Sequence, residues 1–282
     1  MDKKIMIIGA GQMGSGIAQV AAQAGMSVIL QDVQEAFTTR GIKAIRSSLE
    51  RFVKKATMTP EGVEEVMARI TPTTAIESAK EVDVVIEAAV EKMEIKKEIF
   101  RKLDQIAPAH VLLASNTSSL SITELAAVTS RPEQVVGMHF MNPVPMMKLV
   151  EMIRGLQTSD DTYQAIENLA KDMGKTPIAV RDFPGFISNR VLMPMINEAI
   201  FCLYEGVAEP EAIDEIMKLG MSHPMGPLQL ADFIGLDTCL YIMEVLFEGF
   251  GDSKYRPCPL LRKYVEAGYL GKKSGRGFYQ YA

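Results

Sequence analysis

Histidine and cysteine are scarce in this chain of 282 residues, with three of each. Cys202, Cys239 and Cys258 stand far apart and form no CxxC pair or Cys/His cluster. That excludes a disulfide framework and a structural metal site, and it fits a reducing, cytoplasmic setting. No apolar run reaches the length of a membrane span. The opening MDKKIMIIGAGQMGSG has the basic tip and apolar stretch with which a signal peptide begins. Gly9, Gln12 and the return to strand-like residues before Asp32 make it read as folded structure instead. Positive charge is not in excess either: the net charge is -5, which argues against a chain devoted to nucleic acid or an anionic membrane. Repeats and low-complexity tracts are missing. What is present is 48% hydrophobic content, enough for a sizeable core in one large domain or two.

Up to about residue 183, short β-rich runs alternate with longer helical patterns. The strand candidates are KIMIIG, MSVILQD, VDVVIEA, HVLLAS, QVVGMHF, KLVEMI and TPIAVRD. Such alternation predicts an α/β fold with a doubly wound, mostly parallel sheet. After DFPGF the strand signals stop. ISNRVLMPMINEAIFCLYEG, EPEAIDEIMKLG and GPLQLADFIGLDTCLYIMEVLFEG read as helices, with Pro194 set to kink the first. Pro184 and Gly185 therefore mark a junction, dividing the chain into residues 1–184 and an all-helical domain over 185–282.

Gly9-Ala10-Gly11-Gln12-Met13-Gly14 is a GxGxxG that directly follows a strand and opens a helix. Without side chains at the glycines, backbone amides can approach a pyrophosphate, whose charge also suits a helix N-terminus. A second strand follows, and Asp32 stands at its end, 18 residues beyond Gly14. A carboxylate there accepts hydrogen bonds from both ribose hydroxyls and repels a 2′-phosphate, so the pattern predicts a Rossmann-like domain that prefers NAD over NADP. The competing reading is a tight structural turn.

LLASNTSSLSI, residues 112–122, ends an apolar run in small polar residues, at the strand end where open α/β sheets bind ligands. SNTSS would also serve as a helix cap. Two further strands carry chemistry to the same rim: His139 ends VVGMHF, and Glu151 lies in KLVEMI. An imidazole is suited to proton exchange with an alcohol and carbonyl pair near neutral pH, and a carboxylate on its other nitrogen fixes the tautomer. A core histidine beside an exposed Glu151 is the alternative. His110 and His223 have weaker claims.

GAGQMGSGIAQ, SNTSSLSIT, GMHFMNPVPMMKLVEMI, PGFISNRVLMPMINEA, HPMGPLQLADFIGLD and GKKSGRGFY together resemble the 3-hydroxyacyl-CoA dehydrogenase family, in particular its short bacterial 3-hydroxybutyryl-CoA members, along essentially the whole chain. The resemblance implies an NAD-dependent oxidoreductase acting on an acyl-CoA, with an N-terminal NAD-binding domain and a helical domain for substrate and dimer formation. It implies that His139 is the general acid and base, Glu151 its partner, and Ser118 and Asn189 donors at the reacting oxygen or the thioester. It implies NAD contacts from the Gly9 to Gly14 loop (Ala10, Gly11, Gln12 and Met13 included), Asp32, Glu91, Lys96, Ser118, Asn142 and Lys273. It implies CoA contacts from Ser48 and Lys55.

These last two sit seven residues apart, on one helical face, in a segment that also holds Arg40, Lys43, Arg46, Arg51 and Lys54. Such a face suits the phosphates of CoA, although a merely solvated helix face would look the same. A dehydrogenase of a free hydroxy acid and a non-catalytic NADH-binding scaffold stay open as alternatives.

Overall fold

In the computed structural model, residues 3–281 are described. They pack as two compact units divided between Asp182 and Phe183.

The first unit is built on eight strands: β1 (Lys4–Ile8), β2 (Ser27–Gln31), β3 (Ile70–Thr73), β4 (Val84–Glu87), β5 (Leu112–Ser115), β6 (Val135–Phe140), β7 (Leu149–Arg154) and β8 (Thr176–Arg181). Their order in the sheet is β3-β2-β1-β4-β5-β6-β7-β8. Neighbours from β3 through β6 run parallel; β7 turns antiparallel to β6, and β8 is parallel to β7. Six helices accompany them: α1 (Gln12–Gln23), α2 (Glu35–Lys54), α3 (Pro60–Ala68), α4 (Met93–Ile106), α5 (Ile122–Ala126) and α6 (Asp160–Asp172). Strands such as β4 and β6 are buried at every residue, as expected of a sheet covered on both faces, and this is why they read as unbroken apolar runs.

β3 has no counterpart among the strand candidates. It is four residues long and contains Pro72, which demotes a run in a sequence reading. Its place at the sheet edge resolves the conflict, since an edge strand pairs on one side only and tolerates a residue without an N–H.

The second unit is helical: α7 (Ser188–Tyr204), α8 (Pro210–Met221), α9 (Pro227–Ile234), α10 (Leu236–Phe250) and α11 (Pro259–Glu266). Pro194 lies inside α7, which continues past it. GPLQLADFIGLDTCLYIMEVLFEG, read as one helix, is two. Gly235 between α9 and α10 has φ 105°, a left-handed backbone value that a helix interior cannot contain. Two buried aspartates fix the ends of this unit. Asp214 accepts from Leu228 N, Gln229 N and Tyr279 Oη (2.8, 2.9 and 2.8 Å), capping α9. Asp232 accepts from Phe278 N, Tyr279 N and Tyr281 Oη (2.9, 2.9 and 3.0 Å), holding the segment GRGFYQY in place.

Candidate active site

The order β2-β1-β4 places the change of winding direction between β1 and β4, where an open α/β sheet leaves a crevice beyond its strand ends. A cavity of about 1370 Å³ lies there, lined by residues following β1, β2, β4 and β6, among them Gly11, Asp32, Ala89 and Asn142, with Ser48 of α2.

The three glycines of the motif have different tasks. At Gly9 (φ 99°) a Cβ would lie 2.5 Å from Ala88 O, so this glycine permits the turn. At Gly14 it would lie 1.7 Å from Gly9 O, so that glycine lets α1 sit against the loop. A Cβ on Gly11 would meet nothing within 4 Å. Gly11 lines the cavity and caps α1 without a side chain, so the missing methyl leaves room for a ligand's phosphates at the first helical turn. Asp32 is tied to the same loop: its carboxylate accepts from Ala10 N and Val33 N, both at 2.7 Å. Each oxygen keeps acceptor capacity for a ribose hydroxyl. These residues fit a dinucleotide.

Asn142 Oδ1 accepts from Gln12 Nε2 at 3.0 Å, joining the loop after β6 to α1. That loop comes close because Gly16 has no side chain; a Cβ there would lie 2.8 Å from Val144 Cβ.

His139 and Glu151 are paired residues in the register of β6 and β7. The antiparallel pairing sets their side chains side by side, and His139 Nδ1 lies 2.8 Å from Glu151 Oε2, with both residues buried. A carboxylate only accepts, so the Nδ1 proton belongs to this bond.

The SNTSS segment does not cap the next helix. Ser121 does, accepting from Glu124 N at 3.2 Å. Instead Asn116 Oδ1 receives Phe140 N (2.9 Å), fixing β5 to β6 next to His139. Thr117 Oγ1, Ser118 N and Ser118 Oγ donate to Glu91 Oε1 at 2.6, 2.8 and 3.1 Å. Lys96 stands behind Glu91 and is 1% exposed. Its partner Glu87 is absent from the sequence reading. The available signal was an acid closing the apolar run VVIE.

Of the basic residues on α2, Arg40 and Arg51 line the cavity with Ser48, whereas Arg46 is engaged by Glu64 of α3. Lys55 follows the helix, one turn beyond Arg51, and is exposed. In the second unit, Asn189 is buried in the first turn of α7, and the Lys273 ammonium is gripped by both oxygens of Asp237 (2.5 and 2.7 Å). Among the described residues no cluster of three or more His, Cys, Asp or Glu could hold a metal, and no helix is long and apolar enough to cross a membrane.

A family model for the NAD-binding domain of 3-hydroxyacyl-CoA dehydrogenase matches residues 4–183, and one for the C-terminal domain of the same family matches residues 185–281. A Bacillus subtilis protein named "Probable 3-hydroxybutyryl-CoA dehydrogenase" is 64% identical over 279 residues, covering 99% of this chain and 97% of that protein. The 3-hydroxybutyryl-CoA dehydrogenase of Bradyrhizobium diazoefficiens is 56% identical over 279 residues, covering 99% and 95%. The crystal structure of (S)-3-hydroxybutyryl-CoA dehydrogenase from Ralstonia eutropha is similar with a TM-score of 0.97 and 53% identity over 100% of both chains.

Proposed function

Because the chain belongs to the 3-hydroxyacyl-CoA dehydrogenase family and is an NAD-dependent enzyme of that activity, we propose that it interconverts 3-hydroxybutyryl-CoA and acetoacetyl-CoA with His139 as general acid and base. The observation that carries this reading is the buried pair His139 Nδ1 to Glu151 Oε2, 2.8 Å apart at the rim of the sheet. Bound NAD supplies the acceptor or donor of hydride. The chain supplies the proton. When the C3 hydroxyl is oxidised, His139 Nε2 takes its proton; when the ketone is reduced, the imidazolium returns it. Glu151 keeps the ring in the one tautomer whose Nε2 can accept, and its negative charge stabilises the imidazolium.

Ser118 and Asn189 are assigned as donors to the reacting oxygen or the thioester. The Gly9 to Gly14 loop, Asp32, Glu91, Asn142 and Lys273 are assigned to NAD, and Ser48 and Lys55 to CoA. Arg40 and Arg51 add charge suited to phosphates on the Ser48 face. Residues 1–184 form the NAD-binding domain, and residues 185–282 a helical domain for substrate and dimer formation. Exposure of Ile216, Leu219 and Met221 along α8 supports a homodimer through that part. The setting is cytoplasmic.

The test is NADH consumption with acetoacetyl-CoA by wild type and by a folded His139→Gln variant, repeated with NADPH and with free acetoacetate. Fast turnover requiring NADH and the thioester, reduced by several orders of magnitude in the variant, is expected. Undiminished turnover in His139→Gln would remove His139 from proton transfer, and equal turnover of free acetoacetate would remove CoA from recognition.

A further inference from the structure

His139 is the next-to-last residue of β6, and the two strands beside it hold that end by different means. On one side β7 pairs with it through Gly137↔Ile153, Met138↔Met152, His139↔Glu151 and Phe140↔Val150, so the ladder reaches the end of the strand. On the other side the parallel ladder with β5 stops at Ser115↔Gly137, short of the histidine. Past that point the backbone of β5 stays with β4, where Asn116 N donates to Glu87 O at 2.7 Å.

Phe140 is 2% exposed, and a buried N–H without an acceptor is costly. Asn116 supplies the acceptor from its side chain. Its Oδ1 accepts from Phe140 N at 2.9 Å, and the asparagine is 9% exposed. One carboxamide therefore stands in for the missing rung, at the residue that follows His139.

The consequence lies in what the two segments carry. Glu151 orients the His139 ring at 2.8 Å, but it sits on β7 and says nothing of how far the end of β6 lies from β5. Asn116 opens the turn that holds Ser118, and that turn is itself anchored, since Thr117 Oγ1 and Ser118 N both donate to Glu91 Oε1 (2.6 and 2.8 Å). The Asn116 to Phe140 bond thus links a fixed turn to the strand end that bears the imidazole. Two groups that serve one reacting oxygen must keep their separation to well within an ångström.

Resting on the functional reading above, we propose that Asn116 is a positioning residue for the dehydrogenase reaction: its carboxamide oxygen, by accepting from Phe140 N, sets the spacing between His139 and the Ser118 turn. It works as an acceptor, and its effect on rate passes through His139.

The test compares wild type with Asn116→Ala, Asn116→Asp, His139→Gln and the double variant Asn116→Ala/His139→Gln, reading kcat, the dissociation constant of NADH and the ring resonances of isotope-labelled histidine. Asn116→Ala is expected to lower kcat by about 100-fold, the scale of a 1 Å misplacement, with NADH affinity nearly unchanged. Asn116→Asp keeps an oxygen that accepts from Phe140 N and should stay within about tenfold of wild type. On a His139→Gln background the same Asn116→Ala change should cost less than about threefold, because the group it positions is gone. Losses that multiply in the double variant would place the effect elsewhere and overturn the proposal. So would a loss in folded Asn116→Asp as large as in Asn116→Ala, since it would mean that the amide donor matters and the acceptor does not. With three histidines in the chain, each ring can be followed separately. The His139 resonances should move in Asn116→Ala while those of His110 and His223 stay; an unmoved His139 would also overturn the proposal. Should Asn116→Ala not fold, Asn116→Asp decides alone, its near-wild-type kcat supporting the acceptor role and a loss of about 100-fold refuting it. Failure of the wild type to reduce acetoacetyl-CoA would count against the functional reading; the histidine resonances would still decide this one.

Discussion

Replacing Glu151 by Gln changes one charge and almost no volume at a residue that is 2% exposed. In the wild type the carboxylate faces an imidazole at 2.8 Å, Nδ1 to Oε2. In the proposed mechanism that ring starts reduction as an imidazolium and becomes one during oxidation. Opposite unit charges about 4 Å apart at an effective dielectric near 20 attract by about 4 kcal/mol. Removing that attraction from the charged form alone raises the barrier by a similar amount when the charge develops, equivalent to about three orders of magnitude in rate. A glutamine amide can also donate to Nδ1, which places the ring proton on Nε2 and leaves the ring unable to act as base. The corresponding Asp to Asn change in a serine-protease triad lowers kcat about 10⁴-fold by this route. We therefore expect Glu151→Gln to lower kcat for 3-hydroxybutyryl-CoA oxidation by about 10³-fold or more, with little change in NAD affinity. Initial rates of NADH formation, together with NAD titration by fluorescence, measure both. A folded Glu151→Gln variant within tenfold of wild type would refute both the orienting role of the carboxylate and its stabilisation of the imidazolium.

The glycine loop separates fold from ligand. Gly14→Ala drives a methyl into Gly9 O and should cost about 3 kcal/mol of stability. Gly11→Ala meets no protein atom and should melt as wild type while its KM for NADH rises by about tenfold or more, the scale on which a binding site discriminates a single carbon; thermal melts and NADH titrations of both variants check this. Asp214→Ala strands the buried Leu228 N–H, the Gln229 N–H and the Tyr279 hydroxyl, and should destabilise the helical unit by about 2 kcal/mol in urea unfolding. Burial, followed by the charges of Asp237 and Asp232, pushes the Cys239 thiol up to about 12 from 9.0. A group whose folded-state value is raised contributes stability that is complete below the unfolded value and is lost as pH climbs to the folded one. Base-induced unfolding should accordingly steepen between pH 9 and 12, and Cys239→Ala should flatten that part of the curve. Tyr279 and Tyr281, also raised by burial, keep the remainder. At neutral pH a thiol reagent should reach the half-buried Cys202 well before Cys239.

Local sequence carried much of this fold because its signals are short-range. An apolar run buried on both faces makes a strand whatever its neighbours are, and GxGxxG with Asp32 needs only two strands and the turn and helix between them to be read. The failures lie where a neighbour decides. Pro72 looks like a strand breaker until Ile70–Thr73 is seen to occupy an edge. GPLQLADFIGLD looks like a continuous helix until the positive φ of Gly235 divides it. SNTSS reads as a cap or as a ligand loop, and the structure removes the cap by giving that place to Ser121.

His139 and Glu151 stand out in sequence as candidates, since few residue types exchange protons near neutral pH. Their pairing required β7 to reverse direction, which brings residues 12 positions apart into one register. Glu87 shows the other limit. In sequence it is an acid after three apolar residues, with nothing to mark its burial or its partners. Its charge is met by Lys96 and Ser115, nine residues away and 28 residues away, brought within 2.7 Å by the parallel pairing of β4 with β5 and by the docking of α4. The sequence determined which groups the protein owns and which segments pair their backbones. The tertiary structure decided which charges lose their water, and hence which must find one another.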